Sequence, residues 1–446
     1  MRRQCRVDEF SKTMKMENQV SRRSFLKKTL AAGAAAPFLL PGEVWRARGA
    51  ASPNERLVMA SIGTGKQGRY LLKSFLPHSS VQFVAVADVD RDRREYHKKL
   101  IENFYTIKAG KPYKGCKGYP DFRQLLARDD IDAVIIATPD HWHAYQVIMA
   151  ADRKKDIYCE KPLSLTIREA RLMVEAVRRN NRVFQTGSMQ RSMSSFYKGC
   201  MLVRNGLIGD IKEVYVSVGG PSRWCDLPAE PMQPGLDWDM WLGQAPLRPY
   251  NSILSPRGVH NHFPDWRNYR EYSGGGMTDW GAHHFDIAQW GLGMDHSGPV
   301  EVIPPNGKDV KRLTYRYANG VLVYHGGLPG YSYGVVFVGT KGKICVDRGR
   351  FKAEPESLGK VNLSRLPVQL YHSTNHYADF LRAVRARKKP ICDVEIGARS
   401  VTVCHLGNLA YWNRRYLRWD PVHWRFVKDP EANSWLDREK RDPWKI

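Results

Sequence analysis

Short apolar runs alternate with amphipathic stretches over the first half of the chain. Five of the runs have the length of buried strands, namely 57–62, 81–87, 133–137, 157–159 and 183–186. The stretches between them have helical spacing, which predicts helices over 66–76, 91–105, 121–128, 143–151 and 167–180. Strands and helices that alternate in this way are typical of a doubly wound parallel sheet, so we predict an α/β fold here.

The second half of the chain follows a different pattern. Runs of β-branched and aromatic residues, many of them alternating with polar ones, predict strands over 213–218, 313–317, 321–325, 334–338 and 342–345. The long segment 219–275 is dense in Pro, Gly, Trp and Arg and is interpreted as loops that shape a substrate site. Helices are predicted near 374–386 and 395–412. This half is therefore expected to form a second domain.

A glycine-rich turn follows the first predicted strand and opens the first helix. Gly63 would permit the tight turn, Gly65 would let the backbone approach a pyrophosphate, and Gly68 would let the helix pack on the strand. The N-terminus of that helix offers free N–H groups to phosphates. We predict that the whole turn binds a dinucleotide, through Gly63, Thr64, Gly65, Lys66, Gln67 and Gly68.

The second predicted strand is followed directly by Asp88. An acid at this place can accept hydrogen bonds from both ribose hydroxyls and repels a 2′-phosphate, which favours NAD over NADP. Arg91 and Arg93 keep NADP as the alternative. A plain helix cap is the other interpretation of Asp88, because a helix follows it.

Three further motifs follow along the chain. They are Ala137–His143 (ATPDHWH), the triplet Glu160-Lys161-Pro162, and Gly274–Asp286 (GGGMTDWGAHHFD). With them the chain resembles the Gfo/Idh/MocA family of sugar and polyol oxidoreductases, over about residues 55 to 446, and its ending looks like a subgroup of exported members. The resemblance implies an N-terminal Rossmann domain that binds NAD(P), and a C-terminal α+β domain with an open, mostly antiparallel sheet.

The same resemblance suggests how the chain divides. We expect a signal peptide and linker over 1–52, a Rossmann domain over 53–187, and a domain for substrate binding and oligomerisation over 188–446. The C-terminal helices are expected to pack back on both domains. Because the open sheet face commonly pairs between subunits in this family, we expect a homo-oligomer, either a dimer or a tetramer.

Asp279 and His283 are four residues apart in a predicted helical stretch, which places both side chains on one face. A carboxylate beside an imidazole raises its basicity, so His283 is the candidate general base for a substrate hydroxyl. Lys161 is expected to bind the same hydroxyl and to stabilise a developing alkoxide. The resemblance assigns catalytic roles to the matching positions, which are Lys161, Asp279 and His283.

Strand ends and aromatic residues complete the expected site. The resemblance implies further cofactor contacts from Thr138, Pro139, His143, Glu160 and Lys161. Substrate contacts are expected from Arg191, Trp142, Trp224, Trp266, Asp279 and His283, since aromatic faces suit the apolar faces of pyranose rings. The alternatives are a helix-start role for His143 and core packing for the tryptophans.

Residues 21–28 (SRRSFLKK) precede an apolar stretch that reaches Leu40. This pattern is typical of a twin-arginine signal read by the Tat export machinery, with Met1 or Met16 as the start. Because that route carries folded proteins, we expect a periplasmic or other extracytoplasmic protein that acquires its nucleotide before export. No apolar run reaches the roughly 18 residues of a spanning helix, so stable membrane insertion is not expected.

The net charge of +25 raises the question of nucleic acid. Lys and Arg residues are scattered, without a basic block that carries interleaved aromatics, so nucleic-acid binding is not expected. The eight cysteines form no CxxC pair and no disulfide framework. Four histidines, at positions 260, 262, 283 and 284, lack the spacing of a metal-ligand set, so no metal is expected.

The leading interpretation is an exported NAD(P)-dependent dehydrogenase of a sugar, glycoside or cyclic polyol. A secondary ring hydroxyl, for example at C3, would be oxidised by a tightly bound cofactor that a second substrate recycles. One alternative is an NAD-dependent glycoside hydrolase that oxidises C3 transiently and eliminates the aglycone. The other is a non-catalytic sugar-binding protein on the same fold.

Overall fold

The computed structural model describes residues 55–446 apart from Ser332, so the candidate export signal at 21–28 lies outside the described residues. A six-stranded sheet comes first. Its strands β1 to β6 are Leu57–Ile62, Val81–Ala87, Lys117–Tyr119, Ala133–Ile136, Asp156–Cys159 and Phe184–Thr186. All neighbouring strands are parallel, in the order β3-β2-β1-β4-β5-β6. The strand order therefore reverses beside β1, where such sheets bind ligands.

Helices connect these strands. The helices α1 to α5 are Lys66–Phe75, Arg91–Ala109, Phe122–Leu126, Asp140–Asp152 and Ile167–Arg179. Local sequence fixes several of their starts, because Asp90 caps α2 with its carboxylate and Thr166 forms a capping box with Glu169 in α5. Since Asp90 caps α2, the interpretation of Asp88 as the cap is wrong.

The second sheet has nine strands. Strands β7 to β15 are Ile211–Val216, Glu301–Ile303, Thr314–Arg316, Leu322–His325, Val335–Gly339, Gly342–Asp347, Arg350–Glu354, Leu417–Asp420 and Arg425–Phe426. Their order is β13-β12-β11-β7-β10-β9-β8-β14-β15. Only the β7–β10 pair is parallel among these strands, and the others are antiparallel. The predicted α/β fold, with a Rossmann sheet and a second, mostly antiparallel sheet, is confirmed.

Helices Ser194–Arg204 (α6) and Gly281–Leu292 (α9) pack on the second sheet. The helices α6 to α12 are Ser194–Arg204, Trp238–Leu242, Gly276–Asp279, Gly281–Leu292, His376–Ala386, Val394–Asn413 and Pro430–Ser434. Glycines allow the close approach, since a Cβ on Gly199 would lie 2.4 Å from Val346 and one on Gly291 would lie 2.5 Å from Phe337.

Two C-terminal helices contact the first sheet, and one of them also contacts the second. In α10, Phe380 packs edge-on against Phe75 and Tyr158, which belong to the core of the first sheet. In α11, Val401 lies in a core of the first sheet, and Leu406 lies in the core of the second. The two sheets are thereby held together along α11.

Several elements differ from the sequence pattern. Strands β3, β8, β13, β14 and β15 were not predicted, since most are two to four residues long and too short to show an alternation. Helix α4 begins at Asp140 rather than His143, because its first turn buries polar side chains that hid the helical pattern. In the described part of the chain, no helix is both long enough and apolar enough to cross a membrane.

Candidate functional site

A cavity of about 510 Å³ lies at the carboxyl ends of the parallel strands. It runs from the glycine-rich turn after β1 to Arg348, in the turn between β12 and β13, and to residues of α8 and α9. Most of the predicted site residues line it, namely Gly63, Gly65, Lys66, Gln67, Asp88, Thr138, Pro139, Trp142, Glu160, Lys161, Trp266, Asp279 and His283. Five others do not, namely Thr64, Gly68, His143, Arg191 and Trp224.

The three glycines of the glycine-rich turn have different roles. Gly63 has φ +85°, and a Cβ there would lie 2.6 Å from the backbone of Ala137. A Cβ on Gly68 would lie 2.1 Å from the carbonyl oxygen of Gly63, so only glycine lets α1 pack this closely. A Cβ on Gly65, the N-cap of α1, would meet nothing within 4 Å, and no side chain caps the helix there. The start of α1 is therefore open toward the cavity, as a bound pyrophosphate requires.

Asp88 lies at the end of β2 and lines the same cavity. Its Oδ2 accepts hydrogen bonds from the backbone N–H of Thr64 at 2.7 Å and from the Thr64 hydroxyl at 2.8 Å. Thr64 itself is buried, so it contacts the cavity only through this carboxylate. Its Oδ1 accepts a bond of 2.9 Å from the backbone N–H of Asp90, which leaves this oxygen one further acceptor site for a ribose hydroxyl. The residues present therefore fit a nicotinamide dinucleotide.

Glu160 and Lys161 follow β5, and the Lys161–Pro162 peptide bond is cis. Glu160 accepts a hydrogen bond of 2.8 Å from the side-chain amide of Gln67, which connects the end of β5 to the start of α1. Burial raises the pKa of the Glu160 carboxyl, although the Lys161 charge opposes this. A Cβ on Gly187 would lie 2.8 Å from this carboxyl, so glycine is needed beside it.

Lys161 reaches across the cavity to Asp279, the last residue of α8. Its Nζ donates to Asp279 Oδ1 at 2.6 Å and to the Asp279 carbonyl oxygen at 2.9 Å. Burial acts to raise the pKa of Asp279, but the charges of Lys161 and Arg267 outweigh burial and lower it. The carboxylate is therefore ionised at neutral pH and orients the Lys161 ammonium.

The expected effect of Asp279 on His283 is wrong. The helical stretch is interrupted at Trp280, with α8 ending at Asp279 and α9 beginning at Gly281. The Asp279 carboxylate bonds to Lys161, and no hydrogen bond joins it to His283 among the described residues. Burial, together with the charges of Lys161 and Arg348, lowers the pKa of His283 well below its usual value. The imidazole is therefore neutral at pH 7, and the Asp279 charge does not raise its basicity.

His143 was expected at the cofactor, but its side chain is buried beside the cavity wall. Its two ring nitrogens lie 2.8 Å from the carbonyl oxygen of Pro162 and 3.0 Å from that of Thr138. Burial lowers the pKa of His143 to about 4, so the neutral ring donates its single N–H to one of these two acceptors. These contacts connect the loop after β4 to the cis peptide after β5. His143 therefore positions two loops of the cavity wall and does not line the cavity.

The predicted substrate contact of Arg191 is wrong as well. Its guanidinium is buried and forms bidentate ion pairs with Asp286, at 2.8 Å, and Asp295, at 2.7 and 3.0 Å. Trp224 is also misassigned, because its ring is 62% exposed, outside the cavity lining, with the Arg270 guanidinium 4.6 Å from its centre.

The other two tryptophans do line the cavity. Trp142 donates its indole N–H to the carbonyl oxygen of Trp241 at 3.0 Å and packs edge-on against Phe122. Trp266 lies 4.2 Å below the Arg267 guanidinium. Both are largely buried, so each offers only part of its ring to a ligand.

Sequence reasoning missed three charged residues that line the cavity, namely Asp140, Arg267 and Arg348. Asp140 is fully buried and accepts a hydrogen bond of 2.6 Å from the Ser273 hydroxyl, and burial raises its pKa to about 7. Its place inside the ATPDHWH motif was the available signal. Arg267 adjoins the predicted Trp266, whereas Arg348 lies in the turn between β12 and β13, where the pattern gave no signal.

Neither a metal-ligand cluster nor a disulfide is found among the described residues. Among the described residues no group of three or more His, Cys, Asp and Glu side chains is arranged to hold a metal ion. All seven cysteines of this part are free thiols, and every one except Cys225 is buried.

Known proteins provide an independent comparison. An uncharacterized oxidoreductase of Streptococcus pneumoniae is 32% identical, over 28% of this chain and only 32% of that protein. A myo-inositol 2-dehydrogenase of Thermotoga maritima is 26% identical over 309 residues, which are 65% of this chain and 75% of that enzyme. An alpha-N-acetylgalactosaminidase of Shewanella oneidensis is 28% identical over 36% of this chain and 35% of that enzyme.

A solved structure supports the fold. The WlbA dehydrogenase of Bordetella pertussis, in complex with NADH and UDP-GlcNAcA, gives a TM-score of 0.56 at 16% identity. The match covers 82% of this chain and 99% of that one. At this identity the likeness shows a shared fold.

Two family models together match most of the chain. The oxidoreductase family with an NAD-binding Rossmann fold matches residues 57–188, and the oxidoreductase family C-terminal alpha/beta domain matches residues 190–446. The predicted nicotinamide dinucleotide cofactor is thereby confirmed as NAD(P). With the glycine-rich turn, the cavity and these matches together, the chain belongs to the Gfo/Idh/MocA oxidoreductase family.

Proposed function

We propose that this protein oxidises a ring hydroxyl of a sugar, glycoside or cyclic polyol, for example at C3, and transfers the hydride to tightly bound NAD. One observation carries the proposal: Lys161 and His283 line the same cavity as the glycine-rich turn. A hydroxyl placed there would have an ammonium donor and an imidazole acceptor within the same cavity. Bound nicotinamide would supply the hydride acceptor.

Lys161 is suited to hold the hydroxyl oxygen. Two of its three N–H groups are used by Asp279, and the third has no hydrogen-bond partner among the described residues. An ammonium in this position stabilises negative charge on the oxygen as its proton leaves. Asp279 holds the ammonium in place through these two bonds.

His283 is suited to accept the proton. Its Nδ1 is buried and has no partner in the described part of the chain, which leaves Nε2 as the atom that takes the hydroxyl proton. Burial and the charges of Lys161 and Arg348 lower the pKa of His283, so the imidazole is unprotonated at neutral pH and can accept a proton. The same two charges disfavour its protonated form. The base is therefore available but weak, so the Lys161 charge must carry much of the stabilisation.

The glycosidase alternative is supported by the Shewanella oneidensis relative. In that reaction the first step at the ring hydroxyl is the same. The ketone then allows the C2 proton and the aglycone to be eliminated, water adds at C1, and the reduced cofactor would return its hydride to the ring. Net products separate the two functions, because a dehydrogenase yields a ketone whereas a glycosidase releases the aglycone. A non-catalytic sugar-binding protein would yield neither product.

The experiment begins with the protein purified from a periplasmic fraction. Denaturation and mass spectrometry identify any released nucleotide, and titration with NADH measures binding to the emptied protein. A panel of sugars, glycosides and polyols is then scored for reduced cofactor and for product mass. We expect stoichiometric NAD(H) and a ketone product. A protein that neither releases nucleotide nor binds NADH would overturn the proposal.

The location and assembly belong to the same proposal. Support for Tat-dependent export comes from the Arg22-Arg23 pair and the apolar stretch after it. Export should stop when both arginines are replaced by lysine, and cell fractionation measures this. A domain boundary near residue 187 and a homo-oligomer are further parts of the proposal, and a monomer in light scattering would contradict the second.

A further inference from the structure

Three cationic side chains line the cavity in the region of His283. Lys161, Arg267 and Arg348 all line it, and all three charges act on the Asp279 carboxylate. Asp279 is bonded to Lys161 at 2.6 Å and lies 3.9 Å from the Arg267 guanidinium, so this one carboxylate already serves two cations. The Asp140 and Glu160 carboxyls also interact with Lys161 and Arg267, whereas no carboxylate of the described residues lies within ion-pair distance of Arg348.

Arg348 is held in place without a carboxylate partner. Its guanidinium lies 4.7 Å from the ring centre of Trp280. With the Gln190 amide oriented to satisfy both neighbours, the amide oxygen accepts from Arg348 Nε, and the amide nitrogen donates to the His283 carbonyl oxygen, each at 3.2 Å. Among the described residues no ion pair joins Arg348 to an acidic side chain, and the adjacent Asp347 carboxylate lies 3.7 Å from His284 instead. Arg348 is therefore positioned beside the candidate base with its outer N–H groups available.

A guanidinium held in this way fits a ligand carboxylate. Its planar pair of N–H groups matches the two oxygens of a carboxylate, and the charge-assisted bonds are stronger than neutral ones. The Trp280 ring fixes the guanidinium plane, so little side-chain freedom is lost when an anion binds. Arg348 is exposed where it lines the cavity, so water solvates the free guanidinium, and a ligand carboxylate adds a charge-assisted bond that a neutral sugar lacks.

We propose that the substrate of the proposed oxidation is an acidic sugar, such as a uronic acid or its glycoside, whose carboxylate is bound by Arg348. This inference rests on the proposed function. Arg348 selects the substrate, while Lys161 and His283 act on the hydroxyl that is oxidised. Arg267, already shared with Asp279, strengthens the field that attracts the anion.

Matched probes test this proposal. D-glucuronate and D-galacturonate are compared with D-glucose and D-galactose by the quenching of tryptophan fluorescence in the NAD-loaded protein. We expect each acid to bind about 10- to 100-fold more tightly than its neutral partner. That advantage should fall with added NaCl, because screening weakens an exposed charge pair.

Two variants distinguish binding of the acid at Arg348 from a general effect of the positive surface charge. Arg348→Gln should remove the advantage of the acids and leave the affinity for neutral sugars unchanged. Arg350→Gln is the control, since Arg350 is exposed two residues away, 4.9 Å over the Tyr333 ring and outside the cavity lining. It should keep the full advantage.

Several outcomes would overturn the inference. They are equal binding of acids and neutral sugars, binding of neither, an advantage that survives in Arg348→Gln, or a larger advantage for D-glucose 6-phosphate than for D-glucuronate.

Reduced cofactor is recorded in the same samples. If neutral sugars reduce NAD as well as the acids do, the proposed oxidoreductase activity is supported and the proposal of an acidic substrate is wrong. If no sugar reduces NAD and no product forms, the proposed function itself falls.

Discussion

Two ion pairs join the first half of the chain to the stretch Gly274–Asp286. The side chains of Lys161 and Asp279 are 17% and 24% exposed, and they line the cavity. Those of Arg191 and Asp286 are 1% and 0% exposed, and they lie outside it. In the sequence both cations follow the end of a parallel strand, so both were expected to face a substrate.

The difference lies in what each cation has left to offer. Arg191 forms paired hydrogen bonds to two carboxylates, and Asp286 also accepts a bond of 2.7 Å from the Ser400 hydroxyl. Lys161 meets a single carboxylate and keeps one N–H group for a ligand. The buried pair, whose charged atoms all have partners, is a structural contact. The partly exposed pair keeps an unused N–H group on Lys161, which can bind a substrate.

The largest expected effect is on the buried pair. Arg191→Met should lower the free energy of unfolding by about 3 to 5 kcal/mol, because it leaves Asp286 as an uncompensated buried charge. Urea denaturation followed by circular dichroism measures the change. Arg171→Met is the control, since Arg171 pairs with Glu175 on an exposed helix face and its loss should cost less than about 1 kcal/mol. An Arg191 variant with normal stability and lost sugar binding would reverse the assignment.

The cavity pair should respond in the opposite way. Lys161→Met should lower kcat by roughly 100- to 1,000-fold, because the oxygen that loses its proton is no longer stabilised. Its free energy of unfolding should change by less than about 1 kcal/mol, since the pair is partly exposed. Stopped-flow measurement of nicotinamide reduction gives the rate, and urea denaturation gives the stability. A variant that is destabilised but turns over normally would make this pair structural.

The sequence was most informative where the cause is local. Strand β1, the glycine-rich turn and α1 are continuous in the chain, and their apolar spacing and glycines predict both the elements and their function. The same holds for α10 and α11. Asp279 and His283 were also predicted at the site, yet their relation was wrong, because the break at Trp280 turns the carboxylate toward Lys161 instead.

The remaining errors concern contacts between distant segments. Arg191 finds its partner Asp295 104 residues along the chain, and no spacing rule connects them. Arg348 lies in a short hairpin turn whose strands carry no chemical motif, and it reaches the cavity only because β12 packs beside α6. Such residues are placed by the packing of the second sheet, which sequence pattern alone does not specify.

Asp140 offers a smaller test of the same contrast between burial and exposure. Its raised pKa means that the protonated carboxyl stabilises the fold below about pH 4, and that this stabilisation is lost as pH rises through about 7. Asp140→Asn should therefore gain roughly 1 to 3 kcal/mol over the wild type at pH 8 and little at pH 4, while Ser273 keeps its acceptor. Urea denaturation at both pH values measures this. Asp226→Asn, at an exposed site, should show no such gain, and an equal gain there would contradict the buried charge.

The smallest effect is expected at Thr64, which is buried and contacts the cavity only through Asp88. Thr64→Val keeps the shape but removes the hydroxyl that donates to Asp88 Oδ2, so the carboxylate is less firmly oriented toward the ribose. NADH should bind about 3- to 10-fold more weakly, the equivalent of roughly one hydrogen bond. Thr64→Ser should restore the affinity, and fluorescence titration with NADH and NADPH measures both variants. The proposed preference for NADH over NADPH should shrink without reversing, because the Asp88 carboxylate rather than the Thr64 hydroxyl repels a 2′-phosphate. Unchanged affinity in Thr64→Val would show that the backbone N–H of Thr64 orients Asp88 without help from the side chain.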